Sequence, residues 1–199
     1  MNAEACGNEP SLRVLYVCAA NACRSVAGEA LLRAEAARYG LASEISVSSA
    51  GIWATPGAPA DRGVTQALAE AGARVLPGGA RELTPDVVAE ADLVLVATTA
   101  MRIEVVRLHV PVAERTFTVR RAARLLAMVD PALLPLGPFP VRVAELLAAL
   151  AVLAKTDLPD PDDDLGDPSG GGSAAYQGLF AELSTAHSRL LDLLAPPGA

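Results

Sequence analysis

Cysteine is nearly missing from this 199-residue chain, which carries it at Cys6, Cys18 and Cys23 only. An odd count without paired spacing excludes a disulfide framework and a cysteine-rich zinc site, and it points to a reducing compartment. Histidine is equally scarce: His109 and His187 stand far apart, without ligand spacing. Both are expected to be incidental, and neither a metal nor any other cofactor is implied. No apolar run approaches the roughly 20 residues of a membrane span. Residues 1–10 are polar and acidic, unlike a secretory signal. The expectation is a cytoplasmic protein with no membrane partner. Positive charge is short too, with 16 Lys+Arg against 23 Asp+Glu and a net charge of −7. That balance argues against nonspecific nucleic-acid binding. Asp157, Asp160, Asp162, Asp163, Asp164 and Asp167 fall in one short segment, which reads as a solvated acidic loop.

What is present is a globular composition, 52% hydrophobic and 20% charged, in a chain long enough to bury a core without staples. Short apolar stretches at 13–17, 45–49, 93–97 and 115–117 read as strands. Between them lie helical patterns at 26–39, 61–71, 99–108 and 118–128, with a short helix opened by Thr84-Pro85-Asp86. Two longer helices are expected at 141–155 and 173–194. Alternation of this kind predicts an α/β fold: three αβα layers around a central four-stranded parallel sheet. Residues 1–10 read as a flexible leader and 11–199 as a single domain. The proline-rich stretch 131–140 suggests an insertion around 111–140. Oligomeric state is not fixed by any of these features.

The densest chemistry sits at residues 18–25, Cys-Ala-Ala-Asn-Ala-Cys-Arg-Ser, between the first strand and the first helix. In parallel sheets ligands bind beyond the carboxyl ends of the strands, where Cys18 falls. Loop amides and the dipole of the following helix, with Ser25 as its expected N-cap, converge on one point and favour an anion there. The same field favours thiolate at Cys18, since helix N-termini and nearby cations lower a cysteine pKa to roughly 3.5–7.5. Arg24 adds a planar fork matched to two phosphate oxygens. Asn21 tolerates the left-handed backbone that a tight anion-cradling loop needs.

These residues resemble the low-molecular-weight protein tyrosine phosphatase family, whose loop reads Cys-x-Gly-Asn-x-Cys-Arg-Ser-Pro. Cys18, Asn21, Cys23, Arg24 and Ser25 match it. Glu29, Ser49-Ala50-Gly51 and Ala91-Asp92-Leu93 also fit, Ser49 as support for the loop. The resemblance implies phosphomonoester hydrolysis through a cysteinyl-phosphate, with Cys18 as nucleophile and Arg24 holding the phosphoryl oxygens. Ser25 would donate to the Cys18 sulfur. It further implies a general acid in an Asp-Pro pair before the last helix. Asp167-Pro168 fits by its spacing to the glycines and Tyr176, and Asp160-Pro161 is the alternative. For Cys23 the resemblance implies a reversible disulfide with Cys18; a buried packing role is the other reading.

Departures from the family pattern bear on substrate. Ala20 replaces a glycine, and alanine there costs roughly 1 kcal/mol if the position needs a positive φ. Ala19, Ala22 and Ser169 stand where family members that take phosphotyrosine carry bulky or aromatic walls. Trp53 is then either the remaining wall or a partly buried surface residue. The expected partner is a phosphorylated protein or a small-molecule phosphate, such as a sugar or nucleoside phosphate. A phosphate-binding pseudo-phosphatase is the alternative. Arsenate reduction is disfavoured, because no cysteine follows Cys23 to relay a disulfide.

Overall fold

The computed structural model describes residues 10–195. The expected leader, Cys6 included, therefore lies outside the described residues apart from Pro10. Strand β1 (Leu12–Cys18) is apolar on both faces and buried throughout except at Arg13, as a central parallel strand must be. It is flanked by β2 (Ile45–Gly51) and β3 (Leu93–Val96), with β4 (Thr116–Thr118) outside β3. All pairings are parallel and the order is β2-β1-β3-β4. Helix α1 (Arg24–Arg38) connects β1 to β2, and α4 (Thr99–Leu108) leads from β3 toward β4. These crossovers move outward from the sheet centre in opposite directions, so right-handedness puts α1 and α4 on opposite faces. The expected three-layer fold is the one observed.

Between β2 and β3 lie α2 (Arg62–Glu70) and the short α3 (Pro85–Ala89). Thr84 caps α3, with Pro85 in its first turn. Helix α5 (Val119–Met128) is capped by Thr118. Helix α6 (Phe139–Leu153) begins two residues earlier than the sequence suggests, because Pro140 is tolerated in a first turn. The long α7 (Ser173–Leu194) buries Leu179, Leu183, Ala186, Leu190 and Leu194 at helical spacing. No helix among the described residues is long and apolar enough to cross a membrane. The stretch expected as an insertion is in large part framework: β4 completes the sheet and α5 packs on α7. Its irregular portion runs over 129–138, with a 3₁₀ turn at Pro131–Leu133.

One polar cluster lies inside this core, and it corrects the view of His187 as incidental. Tyr16 of β1, His187 of α7 and Glu35 of α1 form a chain, with Tyr16 Oη 2.7 Å from His187 Nε2 and His187 Nδ1 2.5 Å from Glu35. Burial and the nearby Glu35 push the Tyr16 phenol well above its ordinary value, so it keeps its proton. Tyr16 therefore donates to Nε2, and Nδ1–H donates to Glu35. Burial acts to raise the Glu35 pKa, but hydrogen bonds from His187 and Ser184 prevail and lower it. Gly28 makes room for the ring: a Cβ there would meet Tyr16 Cδ1 at 2.3 Å. The cluster ties three elements together two residues upstream of Cys18. Tyr16→Phe would leave His187 Nε2 buried and unpaired, costing about 1–3 kcal/mol. The expected reading is a lower urea midpoint at unchanged slope.

Candidate active site

Strand β1 ends at Cys18, in register with Gly51 of β2. From there the chain turns through residues 19–23 and enters α1. The carbonyls of the turn are drawn outward by its surroundings. Ile52 N–H donates to Cys18 O (3.1 Å), Trp53 N–H to Ala19 O (2.8 Å) and Asp61 N–H to Ala22 O (2.9 Å). In a planar trans peptide the carbonyl and the following N–H point opposite ways. The amides of Ala19, Ala20 and Cys23 are thereby turned toward the inside of the loop, and the N-terminus of α1 faces the same point.

Asn21 holds this shape. Its φ of 52° is the positive non-glycine φ among the described residues, so the left-handed position is Asn21 and not Ala20. The strain considered for Ala20 does not arise. Arg81 N–H donates to Asn21 Oδ1 (2.7 Å), which fixes the carboxamide orientation. Asn21 Nδ2 then donates to Ser25 Oγ (2.9 Å) and Ser49 Oγ (2.8 Å). Ser49 passes its own proton to Glu29 (2.5 Å). Ser25 Oγ, already accepting from Asn21, has its hydroxyl proton free for Cys18 Sγ at 3.0 Å. This corrects Ser25 as N-cap: α1 starts at Arg24 with Cys23 in the cap position and no side-chain cap. The hydroxyl serves the sulfur instead. Ser49 sits where loop support was expected.

Arg24 is buried, with Nη1 on Leu165 O (3.1 Å) and Nη2 on Asp167 Oδ2 (2.8 Å). Its Nε is buried without a hydrogen-bond partner among the described residues. Asp167 lies across the loop mouth, half exposed, and its other oxygen accepts from Ser169 N–H (3.1 Å). Cys18, Ala19, Ala20, Ala22, Cys23, Arg24, Asp167 and Ser169 enclose about 60 Å³. Ligand pockets for whole small molecules run to about 300–1,000 Å³, so this space takes little more than one oxyanion. A larger cavity of about 620 Å³ lies behind the loop, against Asn21, Glu29, Ser49 and Arg81. Its lining has hydroxyls at Ser48, Ser49 and Thr84 but no cysteine, whereas Cys18, Arg24 and Asp167 all line the small site.

Asp160 is not at this mouth. It caps the 3₁₀ turn Pro161–Asp163, where Asp162 N–H donates to its Oδ1 (2.8 Å). Trp53 does not line the site either. It sits in the turn after β2, 70% exposed and outside the lining of the small cavity. No residue of 111–140 lines the small cavity. Cys18 and Cys23 are both free and buried. Burial pushes the Cys23 thiol up to about 12, against a hydrogen bond from Ser169, with Asp167 and Asp61 adding to the rise. Cys23 is thus a neutral thiol at physiological pH. Two contacts of the region carry no signal in local sequence: Arg81 N–H on Asn21, and Tyr176 Oη on Asp61 (2.7 Å).

A loop of inward amides behind a buried cysteine, closed by an arginine and an aspartate, defines a cysteine-centred oxyanion site on a parallel α/β sheet. The family model for the low molecular weight phosphotyrosine protein phosphatase matches residues 13–125, and the chain belongs to that family. The protein named Probable low molecular weight protein-tyrosine-phosphatase EpsP, from Ralstonia nicotianae, is 38% identical over 96 residues. That match covers 48% of this chain and 62% of the relative's own length. A protein-arginine-phosphatase of Bacillus subtilis is 38% identical over 85 residues, covering 43% of this chain and 55% of that protein. The crystal structure of the Erwinia amylovora tyrosine phosphatase amsI superposes with a TM-score of 0.64. It is 22% identical and covers 92% of this chain and 93% of that one. The likeness to that structure is one of fold.

Gly51 supplies a local test of the loop geometry. A Cβ at this position would lie 2.5 Å from Asn21 N and 2.7 Å from Ala19 O, both backbone atoms that cannot swing away. Gly51→Ala is expected to deform the loop and lower kcat/KM toward 4-nitrophenyl phosphate by about 100-fold, with the melting temperature recorded alongside.

Proposed function

We propose that this chain is a phosphomonoester hydrolase that works through a cysteinyl-phosphate and is not selective for aryl substrates. The observation that carries it is the Arg24 guanidinium, buried beside Cys18 with Nε lacking any partner. A buried donor left unpaired costs about 1–3 kcal/mol. A tetrahedral oxyanion in the loop would accept from Nε and Nη2 together, in the bidentate pattern that arginine favours.

In the reaction this implies, a phosphate group enters the loop and takes Arg24 Nη2 from Asp167. Its oxygens face the amides of Ala19, Ala20 and Cys23. Cys18 Sγ forms a bond to phosphorus as the ester P–O bond breaks, and Asp167, which takes up a proton from solvent once it is free of Arg24, gives that proton to the leaving oxygen. Water then attacks phosphorus, the S–P bond breaks, and Asp167 takes the water proton back. Ser25 Oγ–H steadies the sulfur in both steps. The contribution of the loop is positional and electrostatic, as phosphoryl transfer demands. Proton transfer by Asp167 is worth about 10²–10⁴ in rate.

The substrate reading follows from what surrounds the loop. Ala19, Ala22 and Ser169 offer no wide apolar or aromatic wall, and the Trp53 ring stands in solvent. An aromatic contact adds about 0.5–1.5 kcal/mol beyond area, and none of these side chains supplies it. Phosphorylated protein side chains and small phosphate esters therefore both remain acceptable.

Cys18→Ser is expected to abolish turnover of 4-nitrophenyl phosphate; persistence of activity would refute the nucleophile. Asp167→Ala should slow substrates with basic leaving groups by about 10²–10⁴, while Asp160→Ala, which removes only the cap of the 3₁₀ turn, slows them far less. The reverse pattern would exchange the two roles. Against a phosphotyrosyl peptide, a phosphoseryl peptide and a set of sugar phosphates, kcat/KM is expected to span no more than about tenfold, the equivalent of ~1.4 kcal/mol. A phosphotyrosyl peptide far ahead of every other substrate would overturn the lack of aryl selectivity.

A further inference from the structure

In the acidic segment Asp160, Asp162, Asp164 and Asp167 are exposed, as the sequence suggests, but Asp157 and Asp163 are turned onto arginines and the backbone is tied down at several points. Arg124 of α5 divides its guanidinium between two carboxylates. Its Nε and Nη2 reach Asp157 at 2.9 and 3.0 Å, and its Nη1 reaches Asp163 at 2.6 Å. Asp163 is 1% exposed, and its Oδ2 also accepts from Asp160 N–H (2.8 Å), closing the capping box of the 3₁₀ turn. Arg121 takes Asp157 O, and Arg120 takes Asp162 O.

Further along, Thr99 N–H donates to Asp164 Oδ1 (2.6 Å) and Leu165 N–H to Ala97 O (2.8 Å). Leu165 O receives Arg24 Nη1. The segment is thus anchored to α5 at one end and to the carboxyl end of β3 at the other. Gly166 alone separates the last anchor from Asp167. Beyond that point Asp167 keeps only Arg24 and its own turn.

We propose that Arg124 is a positioning residue for Asp167. By holding Asp157 and Asp163 together it sets the path of residues 157–165, and with it the point from which Asp167 reaches the leaving oxygen. The proposal rests on Asp167 being the general acid. Arginine suits this task because one planar fork spans two carboxylates, which a lysine ammonium does not. Without it, the buried Asp163 loses its ion pair and keeps only the Asp160 N–H and the more distant charges of Arg121 and Arg120, which favours opening of the turn to hydrate it. A displacement of about 1 Å at a reacting group costs up to 10²-fold in rate. Arg124 lines no part of the Cys18 cavity, so phosphate binding by Arg24 and the loop does not depend on it. The consequence falls on proton delivery.

The test compares kcat/KM, which reports P–O cleavage, across aryl phosphates of rising leaving-group basicity, from 4-nitrophenyl to phenyl phosphate. Arg124→Met is expected to lower the value for phenyl phosphate by about 10- to 100-fold. The value for 4-nitrophenyl phosphate and the inhibition constant of inorganic phosphate stay close to those of the unaltered protein. Arg124→Lys falls between. In an Asp167→Asn background, Arg124→Met produces no further loss, as a shared pathway requires. Equal losses with both leaving groups, weaker inhibition by phosphate, or additivity in the double variant would each overturn the proposal. If Arg124→Met does not fold, Asp157→Asn removes one arm of Arg124, together with the Arg121 Nε contact to the same carboxylate (3.2 Å), while Asp163 stays paired with Arg124. It should steepen the leaving-group dependence in the same direction, and a flat response overturns the proposal. Asp167→Asn without steepening overturns the acid assignment and the positioning role with it. Steepening by Asp167→Asn but not by either Arg124 variant overturns the positioning role alone.

Discussion

One carboxamide governs the shape of the oxyanion loop. Asn21 adopts a left-handed backbone that most side chains resist, and its side chain is saturated by Arg81 N–H, Ser25 and Ser49. The backbone twist turns the loop carbonyls outward, and the carboxamide locks the twist. Because Arg81 N–H can only donate, the amide oxygen must face it, and Nδ2 must face the two serines. The direction of every later hydrogen bond follows, down to the hydroxyl proton on the Cys18 sulfur. Chemical reactivity at one atom is thus set by a backbone amide 60 residues away from Asn21 in sequence.

Strand, loop and helix around Cys18 were legible because they are contiguous: the apolar run, the octapeptide and the helix formers carry their own local signals. The parallel sheet was legible for the same reason, from the alternation of short strands and helices. Contacts that close over long separations were not. His187 shows no ligand spacing in sequence, yet it meets Tyr16 across 171 residues. Ser25 has the composition of an N-cap, but its hydroxyl is claimed by Asn21 and the sulfur. Two Asp-Pro pairs look alike locally. What separates them is the Leu165–Ala97 hydrogen bond, which brings Asp167 to the loop, while Asp160 is spent on a turn. Most of the aspartate run is exposed as it reads, but Asp157 and Asp163 were not separable from the rest because their arginine partners lie on α5, more than 30 residues earlier.

The site is assembled from two parts of the chain with different sequence character. The family match ends at residue 125, inside α5, and includes the whole oxyanion loop with its supports. Asp167 and the segment that carries it lie beyond that limit. Arg24 bridges the two parts, reaching Leu165 O and Asp167 from the start of α1. On the proposed mechanism, the loop would hold the phosphoryl group and the later segment would serve the leaving oxygen.

The pairing of Arg24 with Asp167 also has a kinetic side. An arginine facing open solvent would project an attractive field and draw anions in from a distance, at a rate that falls as salt rises. Here its charge is met by a carboxylate at 2.8 Å, on a protein of net charge −7. From afar the mouth offers a phosphate dianion no invitation. On the proposed mechanism, capture begins at contact, when the phosphate displaces the carboxylate from the guanidinium. Encounter is then left to collision and local concentration, with little long-range steering by Arg24.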